Sequence, residues 1–141
     1  HRFDWLPVWW SIPHGLLAVA ILHANNWRDR DRDRLRQCRT VAGRLGPRGS
    51  RVYYRALVLG PFVLAALYLL LGRGPVGRLT PVSTLLVFLA LPMAWRLARI
   101  RPDRDPQAFA ALDAATARLH LWFGILSAGA FWLGGGRSMM W

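Results

Sequence analysis

The chain has 141 residues, 54% of them hydrophobic, and 19 basic against 7 acidic side chains give it a formal charge of +12. Four long apolar stretches without Asp or Arg exclude an ordinary soluble domain. The single cysteine, Cys38, excludes an internal disulfide and any CxxC metal or redox motif.

In chain order, His1 stands first with no initiator Met and no recognisable secretory signal, so the chain is expected to be a piece of a longer protein. A first membrane span is expected over residues 5–24, carrying Pro7, Pro13 and His14. An Asp-rich loop over 25–51 follows, closed by a break at Pro47-Arg48-Gly49-Ser50. Ser50 is expected to cap the next helix near Arg51, with the Arg55 guanidinium snorkelling to the surface. The second span is placed at about 52–72, apolar from Ala56, and Gly72-Arg73-Gly74-Pro75-Val76-Gly77 reads as a short outer turn. A third span is expected over 79–95. Asp103, Asp105 and Pro106 then open an amphipathic segment, 107–118, that would lie on the membrane surface. A last span is expected over 119–136.

Each apolar stretch is close to the 17 to 25 residues a helix needs to cross the hydrocarbon core. Pro7, Pro13, Pro61, Pro81 and Pro92 fall inside the spans, which suits helices packed around a shared cavity more than helices alone in lipid. Six of the eight tryptophans lie near expected span ends, the usual place for an interfacial belt. Nine arginines follow the first span and five follow the third, whereas only Arg73 and Arg78 separate spans two and three and only Arg137 follows the fourth. Rich and poor connections alternate as four spans require, and the positive-inside rule puts the rich ones in the cytoplasm. The basic charge thus follows the membrane. Interleaved aspartates and few aromatics argue against nucleic acid.

In the loop, Asn25, Asp29 and Asp33 are spaced four apart, so a helix would gather three oxygen-bearing side chains into one line. Such donors suit Mg2+, which takes oxygen ligands, keeps several waters and is commonly shared with substrate phosphates. Asp31 would fall about 200° around the helix from Asp29. Arg28 and Arg39 could hold diphosphate oxygens bidentately. The competing reading is a solvated, self-neutralising Arg/Asp helix that only marks the cytoplasmic side. His14 and His23 read as structural, and His120 as either an interhelical hydrogen bond or a contact to substrate.

The run Asn25-Asn26-x-Arg28-Asp29-x3-Asp33-Arg34-x4-Arg39-Thr40-x3-Arg44-Leu45-Gly46 resembles the second Asp-rich motif of the UbiA superfamily of membrane prenyltransferases. It is most similar to the 1,4-dihydroxy-2-naphthoate (MenA-like) branch, where NNxRDxxxDxxxGKRTxxxRLG is typical. The stretch Ala115-Thr116-Ala117-Arg118-Leu119-His120-Leu121-Trp122-Phe123-Gly124 is similar to the opening of that family's last helix. The resemblance implies an all-α integral membrane fold: residues 1–141 would be the C-terminal part of one nine-helix domain, contributing its last four transmembrane helices. It implies a transferase of alkyl groups other than methyl. A polyprenyl diphosphate and an aromatic acceptor would be its partners, with decarboxylation of the naphthoate, in menaquinone synthesis at the inner (plasma) membrane. Asp29 and Asp33 would be catalytic, and together with Asn25 would hold Mg2+. Asn25, Asn26, Arg28, Arg39 and His120 would contact substrate.

The first Asp-rich motif would precede His1, so the piece by itself is expected to be inactive. Gln37 and Cys38 stand where the family has Gly-Lys, which removes one diphosphate contact and stiffens the turn. Alternatives are another aromatic acceptor, such as a chlorophyll, haem or tocopherol precursor, or a noncatalytic scaffold that binds anionic lipid.

Overall fold

A computed structural model describes residues 6–71 and 82–135, and every regular element among them is helical. Helix α1 spans Leu6–Arg28, running past the expected end of the first span into the Asp-rich segment. Trp10, Pro13, Leu17, Ala20, Ala24 and Trp27 are buried, alternating three and four apart, with His23 buried beside them. That spacing makes one continuous stripe down the helix. The stripe packs between α3 and α6.

Only Asp29 separates α1 from the short α2, Arg30–Leu35. Backbone bonds from Asp29 N to Asn25 O (3.0 Å) and from Asp33 N to Asp29 O (2.9 Å) carry the helical pattern across the junction. The end of α2 is a Schellman cap: Cys38 N reaches Asp33 O at 2.9 Å and Gln37 N reaches Arg34 O at 3.1 Å. Gln37 occupies the left-handed position of this cap, with φ 58°. It stands where the resemblance has glycine, so the backbone shape of the turn is kept by a residue with a Cβ penalty.

Helix α3, Val41–Leu70, starts earlier than expected. The Thr40 side chain caps it, accepting from Gly43 N at 3.1 Å. The break lies at Gly46, with φ 66° and ψ −177°, a conformation essentially reserved for glycine. Pro47 then opens the long second segment, at the position where a missing N–H costs nothing. Ser50 is therefore no cap. It lies inside the helix, donating to Ala42 O across the break at 3.4 Å, while its own carbonyl accepts from His23 Nε2 at 3.1 Å. Arg55 is exposed, and its Nε donates to Ala98 O at 2.8 Å, covering a carbonyl at the end of α4.

A 3-10 stretch, Val82–Ala90, runs directly into α4, Leu91–Arg99, with Pro92 in the first turn of α4. Helix α5, Pro106–Ala110, is capped by the Asp105 side chain, which accepts from Ala108 N at 3.0 Å. Helix α6, Leu112–Gly135, absorbs half of the segment expected to lie on the membrane surface. Leu112, Thr116, Leu119, Phe123, Ser127 and Ala130 form its buried stripe, and the Thr116 hydroxyl meets the buried Tyr54 hydroxyl at 2.7 Å. Burial of Leu112 and Thr116 pulls these first turns into the bundle.

Helix α6 packs on α1 and on the 3-10 stretch, while α3 packs on α1, α4 and the 3-10 stretch, closing a ring of helices around the core. Outward-facing Leu70 is 81% exposed and Leu121 61%, so helices buried on one side stay apolar on the other. Among the described residues, α1 and α3 have the length and composition to cross a membrane. The third expected span is divided between two helix types. The expected fourth span falls within the 24-residue α6 up to Gly135. Gly72 to Gly77, Pro81 and Gly136 lie outside the described residues.

Because Gln37 holds a positive φ, we expect Gln37→Gly to stabilise the protein by about 1 kcal/mol. Thermal unfolding of the two proteins in the same detergent checks this; a lower midpoint for the glycine variant contradicts the cap.

Candidate functional site

Asn25, Asp29 and Asp33 are half-buried, whereas the Asp31 side chain is 86% exposed and pairs with its neighbour Arg30 at 2.9 Å. The four-residue register thus separates the two kinds of aspartate as a helix should. Asn26 is half-buried beside Asn25. Among the described residues, no group of three or more His, Cys, Asp or Glu side chains is gathered to hold a metal by itself. The donors present are two carboxylates and an amide oxygen, all hard. They fit half of a Mg2+ site in which substrate phosphates and water supply the rest.

Arg28 is the hub of this region. Its guanidinium donates to Asn25 Oδ1, to Asp29 Oδ1 at 3.3 Å and Oδ2 at 3.4 Å, to Asp113 Oδ2 at 2.7 Å, and to the Ala110 carbonyl at 3.3 Å. The cation proposed to hold diphosphate is thus engaged with protein acceptors here, and one lone pair of the Asn25 amide oxygen is taken. Asp113 was not singled out from the sequence. An acidic residue in the first turn of a helix is ordinary there, and its partner is 85 positions away. Burial alone would raise the Asp113 carboxyl, but the hydrogen bond and charge of Arg28, with the Ala114 N–H, outweigh it and leave the group below its ordinary 3.8.

Arg39 lies in the wall of a cleft of about 790 Å³ that also holds Arg30, Arg34, Thr40 and Arg44. Asp29 and Asp33 do not line it. Of its four arginines only Arg30 has an ion-pair partner among the described residues, so the cleft is strongly cationic. The structure brings the side chains of Asn25, Arg28 and Asp29 together, sets Asp33 one helical turn further on, and places Arg39 in the wall of the neighbouring cleft.

His120 faces away from both places. Its Nε2 is 3.4 Å from His14 Nδ1 on α1, an interhelical contact flanked by Phe123. His23 is buried between Trp27 and Tyr53, bonded to the Ser50 carbonyl at the start of the long part of α3. Near the other end of α1, Pro7, Trp10, Ser11, His14 and Phe131 line an apolar cavity of about 420 Å³.

The model of the family described as "UbiA prenyltransferase family" matches residues 1–124. The chain is 32% identical to the UbiA prenyltransferase domain-containing protein 1 homolog of Drosophila melanogaster over 125 residues, which is 89% of this chain and 32% of that protein. It is 36% identical to UbiA prenyltransferase domain-containing protein 1 of Danio rerio over 120 residues (85% of this chain, 32% of the relative). For the Homo sapiens protein of the same name the figures are 33% over 119 residues, 84% and 32%. The chain thus spans about a third of the length of these relatives. No solved structure matches it.

The folded-state carboxyl of Asp113 lies below its ordinary value of 3.8, so the Arg28 pair contributes stability that is complete above that pH and is lost as pH falls through the lower folded value. We expect the stability gap between wild type and Asp113→Asn to be constant from neutral pH to about 5 and to narrow below about 4. Scanning fluorimetry across pH checks the sign; a gap that widens on acidification is the contrary result.

Proposed function

The chain belongs to the UbiA prenyltransferase family, and on that premise we propose that its full-length protein transfers a polyprenyl group from an isoprenoid diphosphate to an aromatic acceptor in the membrane. The observation that supports this most is the line Asn25, Asp29 and Asp33, half-buried on one face of the α1–α2 junction while Asp31 turns to solvent. In this reading Asp29, Asp33 and Asn25 would hold Mg2+ through their side-chain oxygens. When bound, the ion neutralises charge developing on the diphosphate as it leaves.

The chain's own residues do the rest. The Arg28 and Arg39 guanidiniums bind and orient diphosphate oxygens, Asn26 lies within the same turn, and His120 is reserved for the acceptor side. In the reaction the allylic C–O bond breaks and the electron pair leaves with diphosphate. A C–C bond forms to the ring carbon that bears the carboxylate, and that carboxylate departs as carbon dioxide, its bonding electrons restoring the aromatic ring. The acceptor in this reading is 1,4-dihydroxy-2-naphthoate and the product belongs to menaquinone synthesis. The pairs Asn25-Asn26 and Arg39-Thr40 favour that branch over other aromatic acceptors. The described helices then belong to the last four of nine spans, with the Asp-rich loop on the cytoplasmic side of the plasma membrane.

A second reading, a noncatalytic scaffold for anionic lipid, has one observation in its favour. The cationic cleft adjoins Leu35, which is 87% exposed, and the exposed Val41 and Leu45, a mixture that suits a headgroup layer.

In the full-length protein we expect Asp29→Ala and Asp33→Ala each to lower prenyl transfer by more than about 100-fold, and chelation to abolish it until Mg2+ is restored. Product formation from a radiolabelled polyprenyl diphosphate and the naphthoate checks both. Full activity in the two variants removes the site assignment, and no transfer by wild type with any aromatic acceptor favours the scaffold. For orientation, Cys38 is exposed and serves as a native reporter. We expect an impermeant maleimide to label it only from the cytoplasmic face of sealed vesicles, and labelling from the outer face alone reverses the topology.

A further inference from the structure

Arg28 lies between two carboxylates that compete for it, and the distances are unequal. Asp113 Oδ2 is at 2.7 Å, a good charge-assisted bond, while the Asp29 oxygens are at 3.3 and 3.4 Å, long for such a pair. The Ala110 carbonyl, at 3.3 Å, adds a second acceptor from the α5–α6 junction. The guanidinium therefore leans toward the last helix. With Asp113 present, Arg28, Asp29 and Asp113 together carry one net negative charge. Without it, Arg28 and Asp29 sum to zero, and the guanidinium, which already faces both Asp29 oxygens side-on, is held back only by the neutral acceptors Asn25 Oδ1 and Ala110 O, so both long bonds can shorten into the tight bidentate pair it favours. A carboxylate held in that way has lost both the charge and the lone pairs a divalent cation needs.

We propose that Asp113 is a positioning residue for the Asp-rich line: it holds Arg28 at long hydrogen-bond distance from Asp29 and so leaves Asp29 able to exchange that weak pairing for a divalent cation. Asp113 touches neither metal nor substrate, and acts only through Arg28. The proposal rests on the reading of Asp29 as a metal ligand. It also ties the last long helix to the motif at the end of α1, so that the site is tuned by a side chain 85 positions away.

The test uses the full-length protein in detergent, with Mn2+ alone as probe and free Mn2+ read by electron paramagnetic resonance. We expect Asp113→Asn to weaken Mn2+ binding by about 10-fold or more, the scale of losing an outer-shell partner. We expect Asp113→Glu to recover most of it, and the Mg2+ concentration for half-maximal transfer to rise more than kcat falls. The decisive variant is the double substitution Arg28→Gln with Asp113→Asn. Once the competitor is gone Asp113 has no further task, so metal binding returns toward wild type. A merely structural role for Asp113 predicts no such recovery, because the double variant loses every bond of the pair. If Asp113→Asn binds Mn2+ as wild type does while Asp29→Ala does not bind it, the proposal fails and the metal site stands. If the double variant binds no better than Asp113→Asn, the proposal also fails. If Asp29→Ala binds Mn2+ normally, the reading beneath it fails.

Discussion

The register of α1 is the constraint on which the rest depends. One stripe, from Trp10 to Trp27, is buried between α3 and α6, and this fixes the rotation of the helix about its own axis. A helix is stiff over this length, so the direction of Asn25 follows from the packing of Leu17, Ala20 and Ala24 below it. Because the backbone bonds Asp29 N to Asn25 O and Asp33 N to Asp29 O cross the junction, the same rotation sets both carboxylates. His23 adds a lateral anchor: its bond to the Ser50 carbonyl joins the last turns of α1 to α3 just beyond the Gly46 break. Packing in the apolar bundle thereby decides where the polar groups point at its edge.

Irregular backbone in the described residues collects at that same edge. Asp29, Gln37, Gly46, the connection around Asp103 and the α5–α6 junction each interrupt a helix there and release carbonyls or N–H groups that need partners. The arginines supply many of them. Arg55 covers Ala98 O, Arg28 covers Ala110 O, and Arg51 and Arg101 share Asp103 at 3.4 and 2.6 Å. Hydrogen bonds to charged groups contribute roughly 1.5 to 3 kcal/mol when well shielded and less at the surface. An arginine-rich loop is thus part of how the helix ends are held, in addition to marking one face of the membrane.

Much of this was legible in the sequence, for physical reasons that can be named. The four-residue spacing of Asn25, Asp29 and Asp33 is local, and a helix converts it directly into a shared face; the opposite placement of Asp31 follows from the same arithmetic. Family membership was legible from the same run. Helix ends were less so. Pro47-Arg48-Gly49-Ser50 looks like a break, yet proline tolerates the first turn, and the true interruption is the single residue Gly46 before it. The stretch from Leu112 to Arg118 looks amphipathic enough for a surface, but Leu112 and Thr116 are buried, Thr116 against Tyr54 of α3, which only tertiary packing decides. Nor can composition tell which of 19 arginines meets which of 7 aspartates, so the Arg28–Asp113 pair was out of reach.

The alternation of Arg and Asp from Arg28 to Arg34 acquires its meaning only from the helical state. In a strand, with period two, the same letters would place every Asp on one face and every Arg on the other. In a helix, at about 100° per residue, Asp29 and Asp33 share a face and Asp31 is sent away from them. Arg30 and Arg34 move one step around, into the cleft wall, and Arg28 moves one step the other way, toward Asp113. The carboxylates are thus flanked by cations on both sides, Asp29 at long hydrogen-bond distance from Arg28. The flank facing the cleft keeps Arg34 without an ion-pair partner among the described residues, while the flank facing α6 is balanced by Asp113. A short charged run becomes an organised pair of neighbouring faces, one anionic and one cationic, because α1 delivers it as helix.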